Sequence, residues 1–326
     1  MKNQEWIVMS QIMKINEIIG DAETVGIGGH IRPDGDCIGS CMSLYNYLKK
    51  NRPDIEVKVY LEFVDDKFSI IENTDKIDTD GYDGTVYDLF ISLDTASKDR
   101  LGFNIPFFDN AKRTVCIDHH ASNKGYADYN YIVAEASSAS EVLYELLEEE
   151  LIDKSAAEPM YMGIAHDSGV FRFQTTTPTT MRIAAKMMEQ GVNVNKILEE
   201  TFYSKSYNQL MVTAKIQSQT VLTMNGKCIY GYCTAGMMEE YGVTTNDLDA
   251  VVASIRNVEG IEVAMFIYQL ESNKFKVSLR SKTNVDVSEI AVGFGGGGHM
   301  RAAGFEVEGP LESAISLILE KIQERI

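Results

Sequence analysis

Four short segments of this chain concentrate the side chains best suited to holding divalent cations. The first reads His30-Ile-Arg-Pro-Asp34-Gly-Asp36, one imidazole and two carboxylates in a single turn. The second is Asp94-Thr95, the third Asp118-His119-His120, and the fourth His166-Asp167-Ser-Gly169. Imidazole mixed with carboxylate suits Mn²⁺, Fe²⁺ or Zn²⁺ better than Ca²⁺ or Mg²⁺, which prefer oxygen. Two carboxylates one glycine apart repel each other, and a dication between them relieves that repulsion. Taken alone, the first segment reads equally well as a solvated turn, and Asp94 as a helix cap. Taken together, the donors are too many for one ion.

The elements that must position these residues follow from the hydrophobic pattern. Residues 24–28, 57–61, 87–93 and 114–117 are short, β-branched-rich and apolar, as strands buried on both faces should be. Helical patterns lie between or after them at 37–49, 138–149, 156–165 and 179–189. This alternation predicts a mainly parallel α/β sheet flanked by helices over the first part of the chain. Three of the four segments then begin where a strand ends, at the edge where open α/β sheets bind ligands.

A polar helical stretch covers about 194–219, and the pattern changes after it. Residues 220–224 and 227–232 flank Asn225-Gly226, a two-residue hairpin signal. Residues 261–270 and 274–280 form a second hairpin, with helical patterns at 237–241, 248–257 and 311–325. The expected organisation is a metal-binding α/β domain at 1–193, a helical linker at 194–220 and a smaller α+β domain at 221–326.

In order, His30-x3-Asp34-x-Asp36, Asp94-Thr95, Asp118-His119-His120 and Asp167-Ser-Gly169 resemble the four motifs of the DHH phosphoesterases. The tail Gly295-Gly-Gly-Gly-His299-Met-Arg-Ala-Ala303-Gly resembles the glycine-rich motif of the DHH-associated domain that follows in one branch. The chain is most similar to the branch of single-chain bifunctional oligoribonucleases and adenosine bisphosphate phosphatases, the nanoRNases. The resemblance implies two Mn²⁺ ions per chain, with Mg²⁺, Co²⁺ or Fe²⁺ as substitutes. It implies that His30 and Asp34 hold one ion, that Asp36, His119 and Asp167 hold the other, and that Asp94 bridges both. Asp118 would orient a ligand imidazole, and His120 would face the substrate near the leaving oxygen. In the second domain Arg280, Ser281, Gly296, Gly297, Gly298 and His299 would hold a non-scissile phosphate. The glycines would allow close backbone approach and a nest of N–H donors, although a flexible linker looks the same by itself. His166 departs from the family, which more often has a small polar residue there; it reads as local packing or as an extra contact.

The implied reaction is hydrolysis of di- to pentaribonucleotides to nucleoside monophosphates and of 3′-phosphoadenosine 5′-phosphate to AMP. A rival within the same chemistry is a signalling phosphodiesterase for cyclic di-AMP or for the linear dinucleotides pApA and pGpG. A rival of another class is a non-catalytic nucleotide-binding module, whose mark would be lost ligands; here every metal position is filled.

Composition sets outer bounds. The 326 residues carry 48 Asp and Glu against 30 Lys and Arg, a net charge of −18. Such a surface repels a long nucleic-acid duplex, so the expected partner is a short single strand or a small nucleotide, and a homodimer is compatible. Five cysteines (Cys37, Cys41, Cys116, Cys228, Cys233), an odd number without a CxxC pair, favour free thiols in a reducing compartment. Residues 1–20 lack the apolar core of a signal peptide and read as an amphipathic helix with Trp6, Ile7, Ile15 and Ile18 inward. No run of about 18 apolar residues occurs to span a membrane. The expected location is the cytoplasm.

Overall fold

The computed structural model describes residues 13–248 and 251–326. The chain divides into two compact units, Met1–Ser204 and Lys205–Ile326. Of the expected N-terminal helix, Trp6 and Ile7 lie outside the described residues, whereas Ile15 and Ile18 are buried on α1 (Ile15–Ile19).

The first unit is built on six strands: β1 (Thr24–Gly28), β2 (Glu56–Tyr60), β3 (Ile77–Asp78), β4 (Leu89–Leu93), β5 (Arg113–Asp118) and β6 (Tyr129–Ile132). They are all parallel, in the order β3-β2-β1-β4-β5-β6. The chain starts in the middle, runs outward to β3, then returns to β4 beside β1 and runs outward the other way. At this reversal the loops leaving the carboxyl ends of β1 and β4 diverge and open a crevice. Every residue of β4 is buried: Leu89, Ile91 and Leu93 join the main core, while Phe90 enters an aromatic cluster with Tyr60, Tyr87 and Phe107. Gly26, opposite Phe90, leaves room for that ring; a Cβ there would lie 2.6 Å from it.

Helices α2 (Gly35–Asn51), α3 (Ile105–Asn110), α4 (Ala139–Leu146), α5 (Lys154–Asp167), α6 (Pro178–Glu189) and α7 (Val194–Ile197) complete the unit, with a π-helical turn at Leu198–Tyr203. The contact between α2 and α5 does most to position the site. A Cβ on Gly39 would lie 2.5 Å from the Pro159 carbonyl oxygen, and one on Gly163 would lie 2.1 Å from Ser140 Oγ. Glycine at the two positions lets α5 approach α2 and α4 closely. Pro159 has no N–H to give the Ser155 carbonyl, and Asn46 of α2 supplies the missing donor at 2.8 Å.

The second unit begins with α8 (Tyr207–Ser218). Its strands are β7 (Val221–Thr223), β8 (Cys228–Cys233), β9 (Val263–Glu271), β10 (Lys274–Ser281), β11 (Gly297–His299) and β12 (Ala302–Glu308), in the order β11-β12-β10-β9-β8-β7. All neighbours are antiparallel except β8 and β9. Both expected hairpins are present, with Asn225, Gly226 and Asn273 at positive φ. Helices α8, α9 (Ala235–Tyr241) and α10 (Val251–Arg256) cover the Ile229–Phe266 face, and α11 (Val287–Gly293) and α12 (Leu311–Gln323) cover the Val277–Phe305 face. The fold class is thus α/β followed by a smaller α+β unit. All five cysteines are buried free thiols, and among the described residues no helix is long and apolar enough to cross a membrane.

Candidate active site

Three strand ends and two helix ends converge at the point where the strand order reverses. His30 follows β1, Asp94 follows β4, and His119 and His120 follow β5; Asp34 and Asp36 open α2, and Asp167 closes α5. His30 Nδ1 lies 2.8 Å from the Ile31 carbonyl and His119 Nδ1 lies 3.4 Å from that of Ala136. A carbonyl can only accept, so Nδ1 carries a proton in both rings and Nε2 is the atom that faces the centre. The two rings face different oxygens of one carboxylate: His30 Nε2 is 3.4 Å from Asp94 Oδ2, and His119 Nε2 is 3.5 Å from Asp94 Oδ1. Asp94 is 3 % exposed, and its Oδ1 has no hydrogen-bond partner among the described residues. Its φ of 52° places it in the left-handed region, strain of the kind that gathers at functional sites.

Asp36 is fully buried yet well satisfied. Its carboxylate accepts from Ala139 N (2.6 Å), Ser140 N (3.1 Å) and Ser140 Oγ (2.6 Å), the opening turn of α4. That helix end both compensates its charge and fixes its orientation. Asp36, His119 and Asp167 bring donor atoms within 4.8 Å of one another, with His119 Nε2 at 3.2 Å from Asp167 Oδ2. Neighbouring donors around an octahedral ion with bonds near 2.1 Å stand about 3 Å apart, so this group fits a divalent cation. Asp94 closes a similar group with His119 and His120, and another with His30 and Cys37.

The electrostatics agree. Burial, then the charge of Asp94, pushes Asp36 up to about 7, and burial followed by the charge of Asp36 raises Asp167. Burial opposes a charged His119, but hydrogen bonding to Asp94 and the charge of Asp167 outweigh it and push the ring up to about 10. Carboxylates crowded this closely hold protons unless cations replace them.

Asp34, expected beside His30, also opens the helix that follows it. Its Oδ1 caps α2 by accepting from Asp36 N and Cys37 N, and it lies 3.8 Å from His30 Nε2. Among the described residues it joins no three-donor group, whereas Cys37 does. Asp118 touches a different imidazole from the expected one. It lies 2.8 Å from His120 Nδ1 rather than against His119, the expected ligand, whose ring is held by the Ala136 carbonyl. The other Asp118 oxygen accepts from Asn123 Nδ2 at 2.7 Å.

Residues 24–164 match the DHH family, N-terminal domain, and residues 225–326 match the DHHA1 domain. The chain thus carries a DHH-family domain followed by a DHHA1 domain. DHH phosphoesterases are metal-dependent, and the chain is a hydrolase. It is 27 % identical over 290 residues to the bifunctional oligoribonuclease and PAP phosphatase NrnA of Bacillus subtilis, covering 87 % of this chain and 90 % of the relative. The protein of the same description from Thermus thermophilus is 29 % identical over 309 residues, covering 92 % and 89 %. A solved structure of an exopolyphosphatase-related protein from Bacteroides fragilis shares the fold with a TM-score of 0.86 at 21 % identity, over 95 % of this chain and 94 % of that one.

In the DHHA1 domain the structure brings two of the expected phosphate contacts together. Arg280 and His299 both pair with Ala302 in register, from opposite sides of β12, so they stand on one face of the sheet with only a methyl group between them. The other expected contacts are engaged within the domain itself. Ser281 is 1 % exposed and directs its hydroxyl to the Met300 carbonyl. The glycine run is no open nest. Gly295 N and Gly296 N donate to carbonyls at the end of α11, while Gly297 and Gly298 form β11. Gly296 and Gly298 are glycines because a Cβ would meet β12 at 2.3 Å and 2.4 Å. The neighbouring Arg301 donates to the Val285 and Thr283 carbonyls and ties down that loop.

Two contributors were not legible in the sequence: the α4 opening that holds Asp36, and Asn123 behind Asp118. Only the Ser137-Ser138 helix start carried a signal, and it named no partner.

Proposed function

We propose that this protein is a Mn²⁺-dependent phosphoesterase with two ions per chain, cleaving di- to pentaribonucleotides to nucleoside monophosphates and 3′-phosphoadenosine 5′-phosphate to AMP. The observation that carries this reading is Asp94, whose two oxygens each face a histidine and one of which has no hydrogen-bond partner among the described residues. His30 and Asp34 would hold one ion, Asp36, His119 and Asp167 the other, with Asp94 shared. When bound, such a pair supplies the positive charge that makes water acidic enough to attack phosphorus and that offsets charge on the phosphoryl oxygens.

The chain's own groups do the rest. Asp118, buried and fixed by Asn123, holds His120 by Nδ1. Its carboxylate fixes the orientation of the ring and leaves Nε2 as the atom placed to pass a proton to the departing oxygen. Arg280 and His299 hold a second phosphate of the substrate. The names of the two relatives support both substrate classes, and cytoplasmic residence suits the free thiols.

The test is one assay panel with Mn²⁺ and purified protein. It compares linear dinucleotides, a pentaribonucleotide, adenosine 3′,5′-bisphosphate, cyclic di-AMP and pyrophosphate at matched concentration. Dinucleotides and the bisphosphate should turn over fastest. Preference for cyclic di-AMP or pyrophosphate would contradict the reading.

A further inference from the structure

His166 is the one histidine that neither the metal cluster nor the phosphate contacts absorb, and its surroundings are specific. Its ring lies against Gly35, the residue between Asp34 and Asp36; a Cβ there would fall 2.2 Å from the ring Cγ and 2.3 Å from Nδ1. Its Nε2 is 2.9 Å from Thr201 Oγ1. That hydroxyl spends its proton on the Ile197 carbonyl at 2.7 Å, so it accepts from Nε2–H. Phe68 and Phe202 stand against the ring, with centroids at 5.6 Å and 5.3 Å. Thr201 and Phe202 both belong to the π-helical turn Leu198–Tyr203, a form that is rare and concentrated at functional sites. With one nitrogen on Thr201 and the other against Gly35, the ring is no ligand, and it joins no three-donor group among the described residues.

The two segments that this ring connects supply ligands from separate elements. Asp34 and Asp36 open α2, and Asp167, next to His166 in sequence, closes α5. We infer that His166 is a positioning residue that sets the spacing between the Asp34–Asp36 turn and Asp167, with the π-helical turn as its anchor. This rests on the two-ion reading above. The ring is a spacer: a smaller or unanchored side chain lets the turn and Asp167 drift, and a larger residue at position 35 forces them apart. Partners that orient ligands in this way typically govern metal affinity by on the order of 10- to 100-fold.

The experiment is a Mn²⁺ titration of the full-length chain, followed by electron paramagnetic resonance for uptake and for spin coupling between ions. The variants are H166L, H166Q, G35A and the double variant G35A/H166A, each checked for folding by circular dichroism. Wild-type protein should bind a spin-coupled pair. H166L should lose the coupled signal and bind about 10- to 100-fold more weakly. H166Q, whose amide can still donate to Thr201, should retain most of it. G35A should lose the pair, and removing the ring in G35A/H166A should restore part of it. Coupling and affinity unchanged in H166L, with only the melting temperature lowered, would overturn the inference and leave the ring as packing. Should H166L fail to fold, equal spectra for G35A and the double variant would overturn it instead. Wild-type protein that takes up no coupled pair would overturn the two-ion reading itself, and this inference with it.

Discussion

His120 is the residue whose role divides most sharply between two chemistries, because it lies close enough to Asp94 and His119 to be a ligand and close enough to Asp118 to be an acid. The 2.8 Å contact to Asp118 favours the acid, since Nδ1 is engaged by Asp118 and lies farther, at 3.7 Å, from Asp94 Oδ1. His120→Ala should therefore retain bound Mn²⁺ and lower kcat by about 10²- to 10⁴-fold, the usual worth of a positioned proton donor. Mn²⁺ content falling in step with activity would make it a ligand instead. The identities of the donors were legible in the sequence because His and Asp at strand ends advertise themselves. Their division of labour was not, since Asp118 and His119 are adjacent in sequence but held by unrelated partners.

At the scale of elements, the site depends on how closely α2, α4 and α5 approach. Gly163→Ala would put a methyl group 2.1 Å from Ser140 Oγ and 2.6 Å from Asp36 Oδ1, pushing apart the carboxylate and the helix end that holds it. We expect a stability loss of about 1–3 kcal/mol from overpacking together with weaker Mn²⁺ uptake, read by thermal melts and metal titration. Unchanged uptake would show that the cradle is not needed. The start of β1 is fastened by Asp88, which accepts from Glu23 N, Thr24 N and Thr24 Oγ1 and pairs with Lys112. The Lys112 contact first, then the two backbone donors, pull its carboxyl down to about 2. A folded pKa below the unfolded one, near 3.9, means stability present above about pH 4 and lost as the pH falls through about 2. The melting difference between wild type and Asp88→Asn should thus be largest near neutrality and vanish in strong acid; a constant difference would contradict the linkage. Helices α2 and α5 and strands β1, β2, β4 and β5 were readable from their apolar runs. Strand β3 was too short to show a period, Tyr129–Ile132 alternates too weakly, and four glycines carry no side-chain pattern that could reveal β11.

For the whole molecule, net charge is the quantity that limits the substrate. With −18 overall, each phosphate beyond those held by cations meets an acidic surface. Turnover should fall steeply from dinucleotides to RNAs some tens of residues long. Raising salt to about 0.3 M should shrink that preference, because screening weakens the repulsion. Equal rates at low salt would contradict this and point to a basic track that the sequence does not reveal. The central claim is that one metal centre, with Asp94 as the shared ligand, performs both phosphodiester and phosphomonoester hydrolysis. The direct measurement is bound Mn²⁺ and turnover for Asp94→Ala beside wild type, on a diribonucleotide and on adenosine 3′,5′-bisphosphate. The account predicts loss of metal and of both activities together; a near-normal rate on either substrate would contradict it.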